Sequence, residues 1–396
     1  MLDADRSLRH AGAIELPRVD GSLYAYKPGV GSAFGPRAVP AMSRIAIAAV
    51  HVVADPHAPN GPRDPVRLDW EATMAYRRHM WSYGVGVAEG MDTAQRGMGL
   101  GWPVASELIE RSITEARNAG GLVVCGAGTD QLELGSARNL DEVEEAYAEQ
   151  CQFIESRGGR VVLMASRELA RIATRPDDYA RVYGRVLGSL DRPAVIHWLG
   201  DMFDPELHGY WGHEDVDLAM DVCVDVMSEH RAKVDGVKIS LLDASREVTM
   251  RRRLPDGVRM YTGDDFNFTE MIAGDDLGHS DALLGILDAI APAAAAALMA
   301  LDAGDVERYR AILAPSVPLS RHIFAAPTRF YKTGIVFMAY LNGHQSRFKM
   351  VSGLERSRSA VHLSEVFVLA DKAGLLRDPE SAADRMRAFL ALSGVA

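Results

Sequence analysis

Lys238 interrupts an otherwise apolar stretch, KVDGVKISLLD at 233–243, in which Val234, Val237, Ile239, Leu241 and Leu242 read as a buried strand. An ammonium is costly to bury unless its charge is paired or removed. Two chemistries satisfy that condition. Asp243, Asp264 or Asp265 can hold the ammonium in a structural ion pair. Alternatively, desolvation disfavours the protonated form, and the neutral amine attacks a carbonyl to form a Schiff base, an electron sink for C–C cleavage or formation. The residues alone leave both open.

Other groups bear on the choice. His197 lies in the run PAVIHWLGD and can carry protons near neutral pH, or serve as a hydrogen-bonded histidine at a strand end. SRELARIATR carries Arg167, Arg171 and Arg175. Arg167 and Arg171, four apart, share one side of a helical turn and can clamp a carboxylate or phosphate, or face solvent beside Glu168. HWLGDMFDPELHGYWGHEDVD gathers His197, Asp201, Asp204, His208, His213, Glu214 and Asp215. With His51, Glu89 and Asp92 these offer donors for a divalent metal, although no spacing matches a tight motif such as His-Glu-x-x-His. Cys125, Cys151 and Cys223 have no paired spacing, which predicts reduced thiols, with Cys125 buried.

These groups need a scaffold. Apolar runs at 44–53, 85–90, 121–128, 159–166, 193–200, 235–242, 257–263 and 281–287 alternate with helical patterns, clearest at 69–84, 103–120, 139–158, 176–190 and 215–231. Runs that are apolar without alternation suit strands buried on both faces of a parallel sheet. Eight of them over about 245 residues predict a (β/α)8 TIM barrel. An open doubly wound sheet is the second choice, but no Gly-x-Gly-x-x-Gly follows a strand. The expected division is a Gly- and Pro-rich N-terminal arm at 1–43, with short strands around SLYAYKPG, the barrel at 44–290, and a C-terminal helical extension at 291–396. Within the extension, helical pattern covers 305–313, 320–343, 346–353 and 359–395 with breaks. In such a barrel, strand alternation turns Val237 and Ile239 towards the helices and Lys238 inward, near the mouth where barrel enzymes do their chemistry.

The ordered set DGVKISLLDAS, YTGDDFNFTEMIAGDD and DALLGILDAIAP resembles the N-acetylneuraminate lyase and dihydrodipicolinate synthase superfamily, as a divergent branch of unassigned function. There the Schiff-base lysine stands in a Gly-Ile/Val-Lys strand, a Ser-Gly-Asp-Asp turn ends the next strand, and an Asn-x-x-Pro start opens a helical extension. The resemblance implies that Lys238 is the nucleophile, that Gly263, Asp264 and Asp265 form a turn positioning the lysine or a substrate hydroxyl, and that Pro292 begins the extension. It puts His197 where the family has a proton-relaying tyrosine. It places EGMDTAQRGMG where the family carries Gly-Thr-Thr-Gly-Glu, so that Gly90 matches a carboxylate-binding glycine, while Met91 and Asp92 replace the threonines and Thr93 comes one step late. His197, with Asp92 or Thr93, is thus the expected proton relay. The family's arginine after the fifth strand is replaced near Met202, and Arg167 after the fourth is the nearest basic substitute.

Apolar residues make up 48% of the 396 residues, enough for a large core, and the net charge of −11 argues against nucleic acid or an anionic membrane surface as partner. No apolar run reaches the length of a bilayer span, and the first 40 residues show no secretory pattern, so a cytoplasmic protein is expected. The reading is a Schiff-base-forming lyase or aldolase that takes a small oxo-acid or sugar-derived carbonyl compound, needs no organic cofactor or metal, and forms a dimer or tetramer. Its rivals are a metal-dependent barrel hydrolase or isomerase built on the His/Asp cluster, and a non-catalytic barrel that binds a small molecule.

Overall fold

A computed structural model of the chain describes residues 12–32, 34–37, 39–91 and 95–395. Its first strands, β1 (Ile14–Pro17) and β2 (Leu23–Tyr26), form an antiparallel hairpin. Eight further strands follow: β3 (Ala46–Ala49), β4 (Gly86–Glu89), β5 (Val123–Ala127), β6 (Val161–Met164), β7 (Ala194–Leu199), β8 (Val234–Ser240), β9 (Arg259–Thr262) and β10 (Asp281–Leu284). They pair in parallel and in sequence, and β10 pairs with β3, so the sheet closes into a barrel. Each of the eight apolar runs of the sequence holds one strand.

The crossovers carry α1 (Trp70–Ser82), α2 (Trp102–Ala119), α3 (Leu140–Ser156), α4 (Arg167–Ile172), α5 (Pro176–Ser189), α6 (Val216–Glu229), α7 (Ala244–Arg251) and α8 (Phe268–Ala273). Local chemistry sets several of their ends. Asp69 accepts from Ala72 N at 3.0 Å and starts α1. Asn139 accepts from Glu142 N at 3.0 Å and starts α3, while Glu142 reaches back to Arg138 N at 2.9 Å, one residue before the cap. Gly120 ends α2 in the left-handed region (φ 67°), where a side chain would be strained.

Alternation along the strands sorts two cores. Ile47, Ala49, Ala88, Val124, Val162, Met164, Val195, Tyr261 and Leu283 fill the barrel interior. Ala48, Val87, Cys125, Leu163, Ile196, Val237 and Ile239 face the helices and join the main core. Lys238, between Val237 and Ile239, therefore points inward. The three cysteines are buried and free.

After β10 come α9 (Leu287–Asp302), α10 (Val306–Leu313), α11 (Ser316–Ile323), α12 (Tyr331–Leu341), α13 (Ala360–Lys372) and α14 (Pro379–Leu392). The helix expected over 320–343 is two helices, because Pro327 lacks an N–H and disfavours helical backbone before it. The helix expected over 346–353 is only a 3-10 segment, Val351–Arg356, broken by positive φ at Ser352 and Gly353. Every residue of α12 is buried. The hairpin rests on α13: Tyr26 donates to Asp371 at 2.6 Å, and Ile14 and Leu16 are buried. Among the described residues, no helix is long and apolar enough to cross a membrane.

Candidate active site at the barrel mouth

Strand register sets His197 beside Lys238, and Lys238 beside Tyr261. Lys238 is 7% exposed and His197 wholly buried. The His197 Nε2 lies 3.2 Å from the Ser240 hydroxyl, one inward step along β8. Gly263 makes room for the lysine stem: a Cβ there would stand 2.9 Å from Lys238 Cε and 2.3 Å from Ser240 Oγ. Any side chain at 263 displaces the amine.

Next to it, Asp265 accepts from Ile286 N at 2.7 Å. Burial pushes its carboxyl up to about 7, against that hydrogen bond and the positive charges of Lys238 and Lys332. Lys332, from α12, donates to Ala49 O at 2.5 Å and to Asp288 at 3.1 Å. Asp288 also takes His51 Nδ1 at 3.0 Å. Burial opposes ionisation of Asp288, yet His51 and Lys332 together hold it well below the usual carboxylate range. Burial lowers the Lys332 ammonium, with Asp288 resisting. This side of the mouth is roofed: a Cβ on Gly285 would meet Tyr331 at 2.8 Å and Phe324 at 2.9 Å, and Ser320 of α11 donates to Asp265 O at 2.5 Å.

The other side, over β5, β6 and β7, opens into a cavity of about 310 Å³ lined by Thr129, Ser166, Arg167, Phe203, Asp204 and Arg329 among others. Met164 and Leu199 also line it, whereas Lys238 and His197 do not. Met164 is in register with His197, two strands from the amine and on the cavity side of it. Arg167 pairs with Asp204 at 2.6 Å. Arg96 pairs with Asp130 at 2.6 Å and holds the strand ends by donating to Gly90 O and Gly126 O.

The sequence profile of the DUF993 family, described as a protein of unknown function, matches residues 14–395. The chain belongs to that family. No curated protein matches it. Among solved structures it is similar to dihydrodipicolinate synthase from Aquifex aeolicus (14% identity, TM-score 0.63, covering 84% of this chain and 99% of that one). It is likewise similar to the chloride-inhibited, pyruvate-complexed enzyme from Acinetobacter baumannii (14%, 0.59, 84% and 100%) and to that from Thermotoga maritima (14%, 0.57, 89% and 99%). The fold is the one these dihydrodipicolinate synthase structures share, a (β/α)8 barrel followed by C-terminal helices.

Of the site residues expected for this DUF993 chain, Lys238, His197, Gly263 and Asp265 gather on one side of the mouth. Arg167 lines the cavity, which they do not, and is already engaged by Asp204. Arg171 does not join it, because it turns back to Glu168 at 2.8 Å. Gly90 adopts φ 61° and gives its carbonyl to Arg96. Asp264 is consumed locally: its carboxylate accepts from Phe266 N at 2.9 Å, Asn267 N at 3.0 Å and Asn267 Nδ2 at 2.8 Å. Asp92 and Thr93 lie outside the described residues.

The donors considered for a metal disperse. Glu89 faces the helix layer and pairs with Arg77 at 2.8 Å, Asp215 caps α6, His208 pairs with Asp201 at 3.0 Å near the surface, and Asp204 serves Arg167. Among the described residues, no three His, Cys, Asp or Glu side chains are grouped to hold a metal ion. The sequence reading missed Arg329 and Lys332. Their signal was present in PTRFYKTGIVFMAYL, where Arg329 precedes a helix whose second residue, Lys332, is its one charge.

Proposed function

We propose that the chain is a Schiff-base-forming lyase or aldolase, with Lys238 as nucleophile and a small oxo-acid or sugar-derived carbonyl compound as substrate. The observation that carries this reading is the placement of Lys238: inward, buried, at the mouth of the barrel, its stem against Gly263 and flanked by His197 and Asp265. The uncharged amine adds to the carbonyl carbon. Proton transfer to the former carbonyl oxygen lets it leave as water, and the C=N⁺ bond that remains draws electrons from the adjacent carbon. An α-proton or a C–C bond is then lost to give an enamine, and the reverse steps return the amine. Asp265, poised at about 7, and His197 are the groups that take and return protons. The pyruvate in the Acinetobacter baumannii structure makes 2-oxo acids the first compounds to try.

The test is reductive trapping. The purified protein is incubated with a panel of 2-oxo acids and sugar acids, treated with borohydride and mapped by mass spectrometry. An adduct on Lys238 is expected. Absence of any adduct across the panel, or an adduct confined to Lys332, sinks the assignment.

A further inference from the structure

The acids that line the open cavity each have their own cation. Asp130 holds Arg96, Asp204 holds Arg167, and Glu168 holds Arg171. Arg329 is left over. It lines the cavity, yet makes no hydrogen bond or ion pair with any described residue, and its Nε is buried without a partner. Among the described residues, it stands over the Phe330 ring, 5.2 Å from the guanidinium carbon. A guanidinium carries five donors that suit carboxylate or phosphate oxygens, and leaving buried donors unmet is costly.

The backbone that presents Arg329 is fixed by another arginine. Arg358 donates to Ala325 O at 2.6 Å, Ala326 O at 3.2 Å and Pro327 O at 3.0 Å, and Thr328 is buried. The backbone is therefore held beside the cavity, and the guanidinium it carries there makes no hydrogen bond to a described residue. Across the cavity floor stands Met164, in register with His197, which is in register with Lys238. At about 4.8 Å per strand step, Met164 and Lys238 lie roughly 10 Å apart around the barrel.

We propose that Arg329 is a specificity-determining residue that binds an anionic group at the far end of the substrate, so that the preferred ligand is a carbonyl compound with a second carboxylate or a phosphate. This rests on the Schiff-base reading for the carbonyl end only.

The experiment compares 2-oxoglutarate with 2-oxopentanoate, which has the same chain length but lacks the second carboxylate. Calorimetric binding and borohydride trapping are run on wild type, Arg329→Gln and Arg329→Lys, with unfolding curves to confirm that the variants fold. Wild type should bind the diacid about tenfold or more tightly than the monoacid. Arg329→Gln should erase that preference, and Arg329→Lys should retain part of it. Inorganic phosphate should compete with the diacid in wild type and not in Arg329→Gln. No preference in wild type, or the same preference in Arg329→Gln, overturns the proposal. If Arg329→Gln fails to fold, the wild-type preference and the Arg329→Lys result decide in the same way. Equal trapping of both compounds on Lys238 defeats this proposal and leaves the Schiff-base reading standing. Arg329-dependent binding with no adduct does the reverse.

Discussion

Around β9, β10 and β3 the mouth lies under α11 and α12, and Lys332, Asp288 and His51 answer one another at 3.0–3.1 Å. Around β5, β6 and β7 it is open, and Arg329 has no described partner. The same C-terminal segment supplies both cations, three residues apart. A charge that is met inside the protein fixes geometry, and one that is not met is available to a guest. The roofed side thus suits bond making, where water must be excluded and protons moved over short distances, and the open side suits recognition.

The strongest way to break that division is Lys238→Met. Turnover of whichever compound gives the adduct should fall by at least about 10³-fold, since the remaining groups only position and protonate. If Lys238→Met retains activity, the amine is a structural ion-pair partner and the roofed side is not the reaction site. Lys332→Met should next cost about 3–5 kcal/mol in urea unfolding, because it strands Asp288 as a buried charge facing only His51. Adding Asp288→Asn should recover part of that loss, and a Lys332→Met protein of wild-type stability would show that the roof is not held by this pair.

Met164→Ala tests the wall between the two sides. It should cost about 2 kcal/mol, the low end for truncating a buried methionine, because the site borders open space. It should also lower KM for branched carbonyl compounds, and an unchanged KM would mean that guests reach Lys238 by another route. The smallest effect expected is that of Asp265→Asn on pH dependence. The folded carboxyl titrates near 7, above its ordinary value of 3.8. Its contribution to stability is therefore fully present below about pH 4 and is lost as pH rises through about 7. Glu247, buried against Ser280 and Thr262, is also pushed up to about 7 and adds the same slope. Unfolding free energy should thus fall between about pH 4 and 7 in wild type and fall less in Asp265→Asn, with the difference isolating Asp265. Parallel slopes in the two proteins would remove Asp265 from the titrating set.

The inward placement of Lys238 was legible because alternation along an apolar strand puts it on the face opposite Val237 and Ile239. The barrel was legible because strands buried on both faces leave a plain apolar signature. The fate of the acids was not. Asp264 and Asp265 are adjacent in sequence, yet one caps its own turn and the other reaches Ile286 N, and spacing carries no record of that choice. Glu89 differs from Ala88 by one strand step, which sends it to Arg77 and the helix layer instead of the mouth. Arg329 and Lys332 come about 90 residues after Lys238, from a segment whose break at Pro327 was read through as continuous helix.

The hairpin at 14–26 has a consequence for biogenesis. Tyr26 and its partner Asp371 are 345 residues apart. At a translation rate of about 5–20 residues per second, the hairpin waits roughly 17–70 s on the ribosome before its platform exists, with Ile14 and Leu16 uncovered. Holding chaperones that recognise short apolar segments have that interval in which to act.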